Sequence, residues 1–273
     1  MKTTHHLALL GAAVSLLITT ASLRASDTDD RIESSAKSSY VFKTHLKDDS
    51  ITTKSDDGVV TLTGTVAEGS HKSLAQDTVE SLPGVKRVNN QLKIKGVDHA
   101  EHSDGWIGTK VKTALLFHRN VSASKTDVYV KEGIVSLRGE ASSQAQKDLT
   151  SEYARDVEGV KEVKNEMTIA KTPAKPDETI AEKIDDASIT AQVKSSLMSH
   201  RSTSALKTKV STTDGVVTLS GKAKNAAEKT LVTKLVTDIN GVKSVINNMT
   251  VEAVVSKASL QPAPVKHLRI VSQ

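Results

Sequence analysis

Gly58-Val-Val-Thr-Leu-Thr-Gly64 returns in this chain as Gly133-Ile-Val-Ser-Leu-Arg-Gly139 and again as Gly215-Val-Val-Thr-Leu-Ser-Gly221. Twenty residues after each phrase stands a third glycine: Gly84, Gly159 and Gly241. Each third glycine is followed by valine, and by valine again three residues later: Val85/Val88, Val160/Val163 and Val242/Val245. Asparagine follows the third glycine by six residues (Asn90, Asn165, Asn247), and isoleucine precedes the phrase by twenty-six (Ile32, Ile107, Ile189). Nine of the fourteen glycines fall in these columns, which align without a gap inside any copy. One structural unit is therefore written three times.

Each unit opens with helical spacing. Ile107, Val111 and Leu115 recur as Ile189, Val193 and Leu197, and as Ile32, Ala36 and Tyr40, an apolar stripe at i, i+4 and i+8. A hairpin follows, its tips at Asp56-Asp57-Gly58, Lys131-Glu132-Gly133 and Thr213-Asp214-Gly215, where glycine supplies the positive φ of a tight turn. Beyond the tip, Val60/Leu62, Val135/Leu137 and Val217/Leu219 share one face of a strand. Val128 and Val130 mark the incoming strand of the second unit. Thr53 and Ser55 hold those places in the first, which predicts a frayed edge there. A second helix carries Leu74/Leu149/Leu231 and Leu82/Val157/Ile239 and stops at the third glycine, helped in the first unit by Pro83. A last strand alternates at Leu92/Ile94, Met167/Ile169 and Met249/Val251. The order is helix, strand, strand, helix, strand. The expectation is an α/β (α+β) fold of three tandem αββαβ modules, each with two helices on one face of a three-stranded mixed sheet. The modules are expected to be similar compact units rather than one continuous globule, and the sequence fits units that pack together as well as units that hang as beads.

The expected boundaries are a leader over 1–25, modules over 31–97, 104–170 and 187–253, a linker over 171–186 with Pro173 and Pro176, and a flexible tail over 254–273. The leader has a short polar start, an apolar run from Leu7 to Thr20 and small residues that suit cleavage after Ala21 or Ala25. That run is too short for a membrane span. Without cysteine, neither a lipoprotein-type lipid anchor nor a disulfide can form. A soluble periplasmic protein is expected.

The formal charge is +5, and loss of Lys2 and Arg24 with the leader leaves +3. Such a mild excess, with only 2% aromatic residues, speaks against nucleic acid as a partner. The excess is uneven. Basic and acidic residues number ten and eight in the first module, ten and ten in the second, and nine and four in the third. The third is the first candidate to meet an anionic surface.

The glycine triplets, the Gly-Val-Val-Thr-Leu-Thr/Ser-Gly and Gly-Val-x-x-Val-x-Asn phrases, and Asp104-Gly-Trp-Ile-Gly-Thr-Lys-Val-Lys resemble the BON-domain family of bacterial periplasmic and envelope proteins, here with three repeats across residues 31 to 253. The resemblance implies the same αββαβ fold and a non-enzymatic role in the envelope under osmotic stress. It also implies binding to phospholipid surfaces, or service as a passive chaperone or adaptor for unfolded outer-membrane or secreted proteins.

The recurrent glycines Gly58, Gly64, Gly84, Gly133, Gly139, Gly159, Gly215, Gly221 and Gly241 read as turn chemistry, since no Gly-x-x-x-x-Gly-Lys-Ser/Thr phrase accompanies them. His118-Arg119 and His200-Arg201 stand at matching places, with Lys43 first in the corresponding pair of repeat one. One reading makes them cations at the carboxyl end of the first helix of their own module, worth roughly 0.3–1 kcal/mol. The other makes them contacts to lipid phosphate, supported in the third repeat by Lys207 and Lys209. Trp106, the sole tryptophan, suits either a membrane interface or its own module. His99, Glu101, His102 and Asp104 sit at or beside a connector, which predicts solvation rather than a metal site. No catalytic phrase is present. The chain is expected to be neither an enzyme nor a cofactor carrier, its partner an anionic phospholipid membrane surface.

Overall fold

The computed structural model describes residues 15–95, 100–170 and 184–252. The first fourteen residues of the expected leader, His99, nearly all of the second linker and the tail lie outside the described residues. Repeat one comprises α1 (Ser15–Ser38), α2 (Tyr40–Thr44), β1 (Ser50–Asp56), β2 (Val59–Val66), α3 (Gly69–Glu80), β3 (Arg87–Asn90) and β4 (Lys93–Ile94). Repeat two comprises α4 (Asp104–Leu116), β5 (Thr126–Lys131), β6 (Ile134–Ala141), α5 (Gln144–Arg155), β7 (Glu162–Asn165) and β8 (Thr168–Ile169). Repeat three comprises α6 (Asp186–Ser199), β9 (Thr208–Thr213), β10 (Val216–Ala223), α7 (Ala226–Thr237), β11 (Ser244–Asn247) and β12 (Thr250–Val251). Ala21 and Ala25 lie within α1.

The three copies share one topology. The hairpin strands pair antiparallel, and the last strand runs parallel to the central one. That last strand is cut in two, so each sheet holds four strand segments in three strand positions. The asparagine column makes the cut. Asn90 Oδ1 accepts from Leu92 N at 3.2 Å, while its Nδ2 donates to Lys72 O and Gln76 Oε1 on α3. Asn165 and Asn247 repeat both contacts on α5 and α7. Leu92, Met167 and Met249 at the cut are buried, but Ile169 and Val251 are exposed. The simple alternation expected of this strand therefore fails beyond the asparagine in repeats two and three, while Ile94 of repeat one still packs against the core.

Two glycine columns are set by space. A Cβ on Gly64, Gly139 or Gly221 would stand 1.9–2.0 Å from the carbonyl oxygen of Ser50, Lys125 or Lys207 on the facing strand or the turn before it. At the third glycine a Cβ would press on Ile32, Ile107 or Ile189 of the first helix, at 3.0–3.5 Å. The recurrent isoleucine is seated on the recurrent glycine.

A column the sequence reading passed over clamps the hairpin. Asp29, Asp104 and Asp186 each accept from two successive N–H groups at the tip, those of Asp57/Gly58, Glu132/Gly133 and Asp214/Gly215, at 2.7–2.9 Å. Both tip residues have positive φ, the type I′ geometry that suits the strand twist. The side-chain hydrogen bond from Ser55 and the backbone donors hold Asp29 below the ordinary carboxylate range. The two backbone donors do the same for Asp104, whose carboxylate is thus committed to a turn.

Repeat one departs from two expectations. Its first helix does not run on to Tyr40. Ser39 Oγ donates to Ala36 O and accepts from Phe42 N, ending α1 and capping α2, and Val41 fills the buried place. Its hairpin edge is not frayed. All seven residues of β1 pair with β2, Thr53 is buried, and Ser55 is held by Glu33 and Asp29.

The modules pack together. The buried apolar residues of repeats one and three form one cluster that takes in Phe117 of repeat two, and the core of repeat two is closed by Leu235 of repeat three. At the hub is α6, buried over most of its length, including Ser188, Thr190, Gln192, Ser195, Ser196 and Ser199. Two of these polar side chains meet neighbouring repeats, Ser188 at Val41 of repeat one and Ser196 at His118 of repeat two, while Thr190 bonds Thr212 of its own hairpin.

The spacing predicts a contrast between two substitutions. Gly139→Ala should cost more than about 2 kcal/mol, because strain and a backbone clash coincide. Gly108→Ala should be neutral or stabilising by up to about 1 kcal/mol, since its Cβ would meet only Val130 at 3.5 Å. Urea unfolding of both variants measures the difference.

Candidate functional site

The His-Arg pairs sit between repeats two and three. His118 is buried, with Nδ1 3.2 Å from Asp238 Oδ2 and Nε2 3.1 Å from Ser196 Oγ. Arg119 donates from its backbone to Asp238 O at 2.9 Å, and from Nη2 to Ile239 O at 2.6 Å and Val242 O at 2.8 Å. In return, His200 Nδ1 lies 3.1 Å from Asp156 Oδ2, and Arg201 N donates to Asp156 O at 2.8 Å. Two isolated bridges, His118 to Ile239 and Val157 to His200, complete the exchange. His118 and His200, Asp156 and Asp238, and Val157 and Ile239 are each related by the step that carries Gly133 to Gly215. The contact is thus a pseudo-twofold one, in which each repeat inserts its His-Arg pair at the carboxyl end of the other's second helix.

This placement corrects both readings of the pairs. The cations meet a helix carboxyl end, but that of the neighbouring repeat's second helix, where unsatisfied carbonyls and the helix dipole favour them. His118 and His200 are buried, so neither forms a lipid surface, and Arg119, though exposed, spends Nη2 on two carbonyls of repeat three. Arg201 stays half exposed beside Asp156, with Nε 3.8 Å from Oδ1. Tyr153 O–H donates to Asp238 at 2.7 Å and its ring lies 4.1 Å from that of His118. Burial first, and that bond second, push its phenol up. Burial pushes the Asp156 carboxyl up, but hydrogen bonds from His200 and Ser202, with Arg201 nearby, bring it below the ordinary range. Burial and the neighbouring His200 lower His118, against the pull of Asp238.

Repeat one lacks this chemistry. Lys43 and Ser81 fill the His and Asp columns. It docks differently. The helix break at Ser39 frees two N–H groups, which Tyr40 donates to Asp185 Oδ2 at 2.7 Å and Val41 to Ser188 Oγ at 3.1 Å, at the start of α6. Lys194 of α6 reaches Asp77 at 3.3 Å on α3. His45 stands edge-on to Tyr40 and to Phe117 of repeat two. Burial, with His71 nearby, brings His45 down to about 4.

Trp106 is half-buried, with Lys110 Nζ 4.3 Å from its ring centre and His102 edge-on. It lines a cleft of about 290 Å³ together with Ser73 and Asp77 of α3 and Met198 of α6. Among the described residues no group of His, Cys, Asp and Glu could hold a metal ion, and no helix is long and apolar enough to cross a membrane.

Four exposed lysines stand together at one corner of repeat three. Lys207 and Lys209 are joined there by Lys222 and Lys224, which the sequence reading did not single out. Lys209 faces Ser220 across the hairpin, and Lys222 faces Thr250. Lys207 Nζ lies 3.0 Å from Glu252 Oε1, and this bond first, then Lys222 and Lys224, lower the Glu252 carboxyl. Comparing the repeats column by column would have revealed the set. Repeat two carries Lys125, Asp127, Glu140 and Ser142 in these columns, and repeat one Ser50, Thr52, Thr65 and Ala67.

The BON domain profile matches residues 28–96, 103–171 and 185–253. Osmotically-inducible protein Y of Escherichia coli K12 is 31% identical over 192 residues, covering 70% of this chain and 92% of that protein. Outer membrane lipoprotein DolP of Haemophilus influenzae is 31% identical over 108 residues, 39% of this chain and 55% of that one. A solved chain of CdsD, a structural protein of the type III secretion system of Chlamydia trachomatis, aligns over 81% of this chain and 90% of its own at 18% identity, with a TM-score of 0.22.

His45 and His118, both lowered by burial, predict acid sensitivity. A histidine whose folded pKa lies below its unfolded value adds stability above the unfolded value and loses it as the pH falls toward the folded one. The window opens near 6.5 and, for His45, closes near 4. Urea unfolding should show a loss of about 1–2 kcal/mol from His45 alone between about pH 6.5 and 5. His45→Phe should flatten that part of the slope.

Proposed function

The chain belongs to the BON-domain family, with three copies of the domain, and on that premise we propose that it is a non-enzymatic periplasmic protein of the cell envelope, acting under osmotic stress, that attaches to anionic phospholipid surfaces through its third repeat. The observation that carries this reading is the exposed set Lys207, Lys209, Lys222 and Lys224 at one corner of a single repeat, where repeat two keeps one lysine, Lys125, beside two carboxylates and a serine, and repeat one has only neutral side chains. Each lysine near an anionic leaflet is worth about 1 kcal/mol, so four give weak attachment that salt weakens further. The docked repeats present this corner on one body, so the lysines act together. The relatives' names, one osmotically inducible and one an outer membrane lipoprotein, support the envelope and stress parts of the reading.

A second reading, a passive periplasmic chaperone or adaptor for outer-membrane or secreted clients, is favoured by β1, β5 and β9. Among the described residues no strand covers their outer edges, where an extended client could pair.

Flotation with vesicles separates the two. The chain should bind phosphatidylglycerol-containing vesicles and not pure phosphatidylcholine. Reversing Lys207, Lys209, Lys222 and Lys224 to glutamate should weaken binding by about a thousandfold or more, with the melting temperature unchanged. Equal binding to both vesicle types would contradict the reading. Suppression of outer-membrane protein aggregation without lipid, unaffected by the reversals, would favour the second.

A further inference from the structure

Leu206 is the most exposed large apolar side chain among the described residues, at 94%. It stands in a short 3-10 turn, Ala205–Lys207, between α6 and β9. Ala205 packs against the core and Lys207 follows at once, so the turn presents Leu206 outward beside the lysine corner. A lone exposed leucine is ordinary on a protein surface. Three observations set this one apart.

The turn is held in place. Lys207 N donates to Ser204 O at 2.9 Å, and Thr208 Oγ1 donates to the same carbonyl at 3.0 Å. The carbonyl of Lys207 sits in the space left by Gly221, where a Cβ would come within 2.0 Å. The leucine is therefore carried on a turn pressed against the sheet. Second, it stands beside an excess of positive charge: Lys207 next to it, Lys209 on β9, Lys222 on β10 and Lys224 just after β10 gather around the single carboxylate of Glu252. Third, repeat two keeps the turn, at Ala123–Lys125, without the leucine, and repeat one has neither. Its column holds Ser124 in repeat two, and in repeat one Asp49, whose carboxylate accepts from Ala67 N at 2.7 Å and meets His71 at 2.6 Å. Leucine and the four lysines occur together, in one copy of three.

We propose that Leu206 is the apolar anchor of a membrane-docking corner, entering the headgroup–acyl boundary of an anionic bilayer while Lys207, Lys209, Lys222 and Lys224 lie at the phosphates. This rests on the lipid reading above and deepens it by naming the point of entry. An interfacial site of this kind needs both parts, charge for attraction and an apolar residue for depth. A soluble acidic polymer would satisfy the lysines and leave Leu206 in water, which is why the bilayer is the occupant the corner fits.

The full chain, having no cysteine of its own, allows one label at a time. Leu206→Cys and Ser124→Cys would each carry an environment-sensitive dye, mixed with phosphatidylglycerol/phosphatidylcholine vesicles bearing spin labels in their acyl chains. The dye at position 206 should shift to the blue and be quenched, and the dye at position 124 should do neither. Leu206→Ser should lower vesicle binding about ten- to a hundredfold at physiological salt, with its melting temperature unchanged. If the chain binds these vesicles but the dye at 206 stays in water, or Leu206→Ser binds as tightly as the original, the anchor is overturned and the lipid reading stands. If the original chain binds no phosphatidylglycerol vesicle, both fall. Capture by soluble polyglutamate as tight as by vesicles, and indifferent to Leu206→Ser, would also overturn the anchor.

Discussion

Two helix carboxyl ends that a neighbouring repeat satisfies hold this chain in its arrangement. The last carbonyls of α5 and α7 have no partner within their own helices. Across the pseudo-twofold, Arg119 serves Asp238, Ile239 and Val242, and Arg201 N serves Asp156. Hydrogen bonds to a charged group are worth roughly 1.5–3 kcal/mol, and an unmade one leaves a buried group at a cost of similar size. The exchange is self-enforcing for that reason. Separating the repeats would strand His118, Asp156, Asp238 and His200 together. Repeat one joins by other means, through the two N–H groups released where Ser39 breaks its first helix.

This arrangement decides which surfaces remain for function. Of the pairs that look most like a phosphate site in the sequence, the histidines are buried and the arginines are engaged at the contact between repeats. The lysine corner of repeat three, at the far end of a hairpin from its clamped tip, takes no part in the exchange. The three copies of one unit thus differ: repeats two and three carry the docking chemistry, repeat one docks through a helix break, and repeat three alone combines Leu206 with four lysines.

The fold of one repeat was largely legible. The glycine columns mark places where a side chain cannot stand, and the isoleucine stripes mark a buried helix face, so periodicity alone delivers the order of elements. The asparagine column was visible without its meaning, because the broken strand it makes depends on reaching Lys72 and Gln76 across the module. The aspartate clamp lies twenty-nine residues before the first glycine of each phrase, a spacing as regular as the others, and was open to the same column reading. The assembly was not legible. Ser188, Gln192, Ser195 and Ser196 look like a solvent face, and nothing in the hydropathy of α6 says that other helices cover it. The charged pairs misled for the same reason, since a cation suits a lipid phosphate and a neighbour's helix end equally well.

The amide hydrogen exchange of Arg119, Arg201 and Asn240 tests the assembly most directly, because each donates to a carbonyl in another repeat: Asp238 O, Asp156 O and Phe117 O, at 2.8–3.0 Å. Read by NMR at neutral pH, all three should exchange as slowly as Glu166 and Asn248, whose amides bond within their own repeats. Fast, loop-like exchange at these three while Glu166 and Asn248 stay protected would mean that the repeats hang apart, and would contradict the account.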